Sequence, residues 1–164
     1  MEELIDILHR FGDVLPEYTE RADAAKQAFL SGYNCAQSVL LSFLDKTNSE
    51  RDVALKFAQP FGGGLSRMRE VCGAVSGGAL TLGAIYGSDE LLDTESKTKV
   101  YRKTQLFGNR FQELNGSVVC RELLGLTEKC SPPVPDKRTD EYYKKRPCAE
   151  LVWLAAMLIA QIVG

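Results

Sequence analysis

Residues 61–86 read FGGGLSRMREVCGAVSGGALTLGAIY and hold seven of the chain's fourteen glycines, with Gly87 just beyond. Two parts differ in kind. Gly62, Gly63 and Gly64 form a run without side chains, which favours unusual dihedrals or close backbone approach. From Arg67 onward, Met68, Val71, Cys72, Val75, Ala79 and Leu82 recur at spacings of three and four, the period of a helix, and Ser66 is the expected N-cap. Each interior glycine costs about 1 kcal/mol of helix propensity relative to alanine. Close packing of a neighbouring helix, or a ligand against bare backbone at Gly73 and Gly77, would offset that cost. The segment is not a phosphate loop, because no lysine follows the glycines at the required place. No nucleotide site is expected.

Working outward, the helical period continues and no period-2 strand pattern interrupts it. Ala22, Ala25 and Phe29 mark a helix over about 18–30, with Gly32 as its stop. Asn34 is the expected N-cap of a third helix carrying Ala36, Val39, Leu40 and Phe43, which places Cys35 in its first turn. A short helix over 50–59 ends before Pro60. Val100, Thr104, Phe107, Phe111 and Leu114 form one stripe of a long helix over 93–114. Residues 117–125 read as a short helix with Cys120 near its start. Pro132, Pro133 and Pro135 mark an exposed loop that carries Cys130. Residues 136–146 mix both charge signs and read as a solvated face. The last segment, from Pro147 through LVWLAAMLIAQIV, is apolar on nearly all sides. It belongs at the centre of the bundle or in a homodimer interface. The expectation is one all-α domain, a helical bundle of six to eight helices over residues 1–164.

Composition narrows the function. At 164 residues the chain can bury a full core. Formal net charge is −2, from 20 basic and 22 acidic residues, so a nucleic-acid surface is not expected. The start, MEELIDILHRFG, lacks the basic and apolar pattern of a secretory signal. The apolar run 151–160 is half the length of a membrane span, which needs about twenty residues. A cytoplasmic protein is expected, and there five cysteines point to metal, redox chemistry or packing rather than structural disulfides.

Cys35, Cys72, Cys120 and Cys148 fall on four different expected helices, three of them within a turn of a helix start. If those helices converge, the thiols share a locally positive pocket that suits metal ligation or thiol exchange. The separations of 37, 48 and 28 residues contain no C-x-x-C, so spacing alone selects neither zinc nor iron–sulfur. The absence of C-x-x-C-H excludes c-type haem. His9 is the only histidine and reads as a solvated residue, which leaves no base for a Ser-His-Asp or Cys-His arrangement.

Six pieces carry a family resemblance: Gly32-Tyr-Asn-Cys35-Ala-Gln, Phe61-Gly-Gly-Gly64, Arg67-Met68, Val71-Cys72-Gly-Ala-Val-Ser-Gly77, Cys120-Arg-Glu-Leu-Leu-Gly125 and the late Cys148. As an ordered set over about 20–163 they resemble the C-GCAxxG-C-C family of redox-active proteins. The resemblance maps the family's four cysteines to Cys35, Cys72, Cys120 and Cys148, and leaves Cys130 outside. It implies a prosthetic group such as an iron–sulfur cluster, and an oxidoreductase or transporter-associated partner. It supplies a class and no reaction. The leading expectation is an oxidoreductase or accessory electron carrier whose four thiolates hold an iron–sulfur cluster, with tetrahedral zinc as the alternative metal. Gly73 and Gly77 would then bring backbone N–H groups to it. The second expectation is metal-free thiol–disulfide exchange, with Cys72 attacking and Cys35, Cys120 or Cys148 resolving. The third is a helical interaction or accessory protein with packing cysteines.

Overall fold

The computed structural model describes residues 2–164. Among these it is all-α, with nine helices and no sheet. They are α1 (Glu2–Leu8), α2 (Pro16–Leu30), α3 (Cys35–Leu41), α4 (Arg51–Ala58), α5 (Gly73–Tyr86), α6 (Thr94–Asn115), α7 (Cys120–Leu123), α8 (Asp140–Lys145) and α9 (Cys148–Val163). The single-turn α7 and the six-residue α8 account for a count just above six to eight. No helix among the described residues is long and apolar enough to cross a membrane.

The apolar pattern explains the layout. Residues 151–160 of α9 are all buried, so this helix is the axis of the bundle. It packs on α2, α3, α5 and α6. Trp153 lies in that core and places its indole N–H 2.7 Å from Asp23 Oδ1 on α2, which removes the cost of a buried donor. Ala22, Ala25 and Phe29 of α2 and Phe107 and Phe111 of α6 face the same core. Helix α3 starts as its sequence requires. Asn34 accepts the Gln37 backbone N–H at 3.0 Å, and the Gln37 side chain accepts the Asn34 backbone N–H at 3.1 Å.

Helix α5 lies against α3, and Gly77 is the reason it can. A Cβ at Gly77 would fall 2.6 Å from the Ala36 carbonyl oxygen and 2.8 Å from its Cα. The cost of a helical glycine is therefore offset by backbone-to-backbone packing.

The unusual dihedrals expected of the glycine run are present at Gly63 and Gly64, but the helix expected from Arg67 fails over 67–72. No helix starts at Arg67, and Ser66 is not an N-cap. Residues Gly63, Gly64, Leu65, Ser66 and Arg67 all have positive φ, a left-handed turn, and Arg69 returns to φ 61°. Left-handed backbone costs a non-glycine residue about 1–2 kcal/mol. Tertiary contacts hold it. The Arg67 guanidinium pairs with Asp136 at 3.0 Å and donates to the Pro132 carbonyl at 2.6 Å. Arg69 donates to Ser131 Oγ at 2.9 Å. The chain then runs antiparallel to 118–121 for one bridge, Val71 to Val119. The Cys120 N–H donates to the Glu70 carbonyl, and the Cys72 N–H to the Val118 carbonyl. The helix begins only at Gly73, so Cys72 is its N-cap rather than an interior residue.

Candidate functional site

Each of the four cysteines stands at a helix start. Cys35, Cys120 and Cys148 are the first residues of α3, α7 and α9, and Cys72 caps α5. All four line one cavity of about 550 Å³. Two backbone devices bring them there. The left-handed turn lets Gly64 pass under α7, where a Cβ would sit 2.5 Å from that of Cys120. Gly73 borders the cavity and lets α5 approach Cys35, whose Cβ would be 3.0 Å from a Cβ added there. Gly77 is not among the lining residues; its close approach is to Ala36. Cys130 is exposed on the proline-containing loop, outside the lining.

The thiols differ in environment. The Cys148 thiol is the largest influence on Cys35, and as a hydrogen-bond donor it lowers the Cys35 thiol to about 7. Burial opposes that shift, while the Arg138 charge and the N–H groups of Gly63 and Cys35 add to it. The same contact pushes the Cys148 thiol up, because its proton is the one shared. Cys72 is 5 % exposed. Burial, with the Cys35 charge next, raises its thiol to about 12. Cys120 is also raised, mainly by burial, against a lowering contribution from Arg69, whose Nη1 lies 3.9 Å from its sulfur. Burial thus disfavours the thiolate of Cys72, the attacking thiol expected from the sequence, whereas the surroundings of Cys35 favour its thiolate.

Sequence reasoning missed the charged wall. Arg67, Arg69, Arg138 and Arg146 line the cavity, with Asp136 as the one carboxylate among the lining residues. Asp136 bridges Arg67 at 3.0 Å and Arg146 at 2.9 Å, and the Arg67 hydrogen bond, offset in part by burial, holds its carboxyl below the usual range. Residues 136–146 are therefore not simply a solvated face, and the proline loop closes one side through Pro133 and Pro135. Arg-Met-Arg at 67–69 looked helical, and no local pattern marks Arg138 or Arg146 as inward.

Four thiols match the donor type of an iron–sulfur cluster or of zinc. Their arrangement does not match: among the described residues, no three Cys, His, Asp or Glu side chains are grouped so as to hold a metal ion. The donors fit such a group in kind and not in placement.

An all-α bundle with four cysteines at four helix starts around one arginine-lined cavity defines the class of protein. The family model described as "Putative redox-active protein (C_GCAxxG_C_C)" matches residues 33–162, and the chain belongs to that family. No curated protein and no solved structure matches the chain significantly.

Proposed function

We propose that the protein is a thiol–disulfide redox protein in which Cys35 is the reactive thiolate and Cys148 its resolving partner. The observation that carries this reading is that Cys35 and Cys148 open two different helices and line one cavity, where each is the largest influence on the other's ionisation. A low-pKa thiolate beside a protonated thiol is the pairing that exchange needs: one sulfur attacks, the other closes the disulfide. Cys72 and Cys120 then stand as neutral buried thiols on the inner wall. The electron donor or acceptor would be an oxidoreductase or a transporter-associated protein, as the family resemblance implies.

A second reading is favoured by one observation: four thiols, not two, line the cavity. In that reading Cys35, Cys72, Cys120 and Cys148 would have to draw closer than this structure places them to hold an iron–sulfur cluster, or zinc, and a cluster would supply one-electron chemistry. The arginines would balance its negative charge.

One experiment separates the two. The protein is purified without oxygen, its visible spectrum, iron and sulfide are measured, and it is then mildly oxidised and mapped by alkylation and mass spectrometry. A Cys35–Cys148 disulfide with a colourless parent is the expected result. A visible charge-transfer band with stoichiometric iron and sulfide would establish the cluster instead. A colourless protein whose cavity thiols all resist oxidation would defeat both.

A further inference from the structure

The charge of the cavity wall is not balanced by the residues around it. Asp136 serves Arg67 and Arg146. No carboxylate pairs with Arg69 or Arg138 among the described residues. Arg69 is only 3 % exposed. Its Nε is satisfied by Ser131 Oγ at 2.9 Å, and its Nη1 has only the Cys120 sulfur at 3.9 Å. Arg138 stacks its guanidinium on Phe29 at 4.4 Å and on Tyr142 at 5.0 Å, which fixes the plane of the group. Its Nη2 reaches the Tyr33 carbonyl at 3.3 Å, while its Nη1 is buried with no hydrogen-bond partner among the described residues. Counting Cys35 as a thiolate, four arginines still face only two negative groups, in a chain whose overall charge is −2. A buried cation without a counter-charge carries a desolvation penalty that a bound anion would offset. A cavity of about 550 Å³ has room for a small-molecule anion that would relieve it.

We propose that the cavity takes a small anionic disulfide, carrying a carboxylate a few bonds from its S–S bond, with Arg69 and Arg138 holding the carboxylate. This rests on the thiol reading above and adds the substrate class. Arginine suits the task because its planar fork binds a carboxylate through two parallel hydrogen bonds. The Cys35 thiolate attacks one substrate sulfur. A Cys35–substrate disulfide forms, the substrate S–S bond breaks, and one thiolate leaves. Cys148 then attacks Cys35. The Cys35–Cys148 bond forms, the mixed disulfide breaks, and the Cys148 proton goes to the departing thiolate. One substrate disulfide is reduced to one thiolate and one thiol as the protein's Cys35 thiolate and Cys148 thiol become one disulfide, and charge and protons balance.

The test uses the reduced full chain without oxygen and three disulfides that differ in charge: dithiodipropionate (dianionic), hydroxyethyl disulfide (neutral) and cystamine (dicationic). The rate of Cys35 modification is followed by rapid quench and mass spectrometry. Each rate is divided by that of the same disulfide with free mercaptoethanol, which removes intrinsic reactivity. The dianion is expected to react about 10- to 100-fold faster than the neutral disulfide, and cystamine slower than both, as a focused positive cleft dictates. Added salt should shrink the ratio. Arg138→Gln and Arg69→Gln should each lower the dianion-to-neutral ratio; the charge series on the parent protein decides the matter even if Arg69→Gln does not fold. Equal normalised rates for the three would overturn the anion site and leave the thiol reading standing. No reaction at Cys35 with any of them would overturn the thiol reading, and this inference with it.

Discussion

Helix α9 and the left-handed turn at 63–67 are built on opposite principles. In α9, ten consecutive residues are buried within one uninterrupted helix, so local propensity, apolar composition and packing agree. In the turn, Leu65, Ser66 and Arg67 adopt a backbone their own side chains disfavour, and Arg69 does so again two residues later. What holds it is distant in sequence: Asp136, Pro132 and Ser131 for the arginines, and the Glu70–Cys120 pairing for the backbone. The first region carries the stability of the bundle. The second aims Gly63, Arg69 and Cys72 at the cavity. Strain of about 1–3 kcal/mol at such positions persists only where the surrounding structure over-determines it, and it concentrates at functional sites.

A pair of substitutions measures that division of labour. Leu158 is fully buried in α9, and Leu158→Ala should cost about 2–5 kcal/mol in denaturant unfolding. The alkylation rate of Cys35 in the folded fraction should change little. Gly64→Ala places a methyl where φ is +68° and where a Cβ would lie 2.5 Å from that of Cys120. Overpacking of that kind costs about 1–3 kcal/mol. Here the larger change should be in the pH and rate of Cys35 alkylation, because the turn that presents the Gly63 N–H moves. If Leu158→Ala altered Cys35 as strongly as Gly64→Ala does, the two regions would not be separable.

The same contrast decides what could be read from the chain. Helices α2, α3, α6 and α9 follow directly from apolar residues spaced three and four apart, and Asn34 announces the start of α3. Those signals are local, and the structure follows them to within about two residues. Residues 67–72 also show a helical spacing, and there it misleads. Met68 and Val71 are each nearly half exposed, and Cys72 is a cap. The deciding contacts come from residues more than 45 positions away, which no local window contains. The four cysteines were legible as a set because three stood beside cap signals. The arginine wall was not, because an arginine drawn inward by a cavity looks in sequence like any surface arginine.

A smaller effect sharpens the reading of Cys35. Its thiol is lowered to about 7, first by the Cys148 thiol. As pH rises through about 7 the thiolate fraction grows, so the iodoacetamide rate at Cys35 should rise with a midpoint near there, well below the ordinary cysteine value of about 8.5. Because the folded value is depressed, the stabilisation it gives is present at pH above the unfolded value and lost as pH falls through about 7. Cys148→Ala removes the S–H donor, and the midpoint should move up toward the ordinary range. A midpoint that stays near 7 in that variant would assign the shift to Arg138 and the helix start instead.

The smallest expected effect belongs to Cys130, and it tests whether thiol chemistry is confined to the cavity. Cys130 is exposed on the proline loop, and its sulfur lies 3.6 Å from the Ser131 carbonyl. It lines no part of the cavity, although the next residue, Ser131, holds Arg69. That link runs through the Ser131 hydroxyl and the Ser131 N–H, which donates to the Arg67 carbonyl at 3.0 Å, and neither involves the Cys130 side chain. A thiol-to-hydroxyl change at an exposed site should alter stability by less than about 0.5 kcal/mol. Cys130→Ser should therefore leave the Cys35 alkylation midpoint, the oxidised Cys35–Cys148 product and any bound metal unchanged. It should remove only one rapidly titrating surface thiol. Loss of cavity chemistry on this substitution would mean that the loop swings its sulfur inward during turnover, and that Cys148 is not the resolving partner.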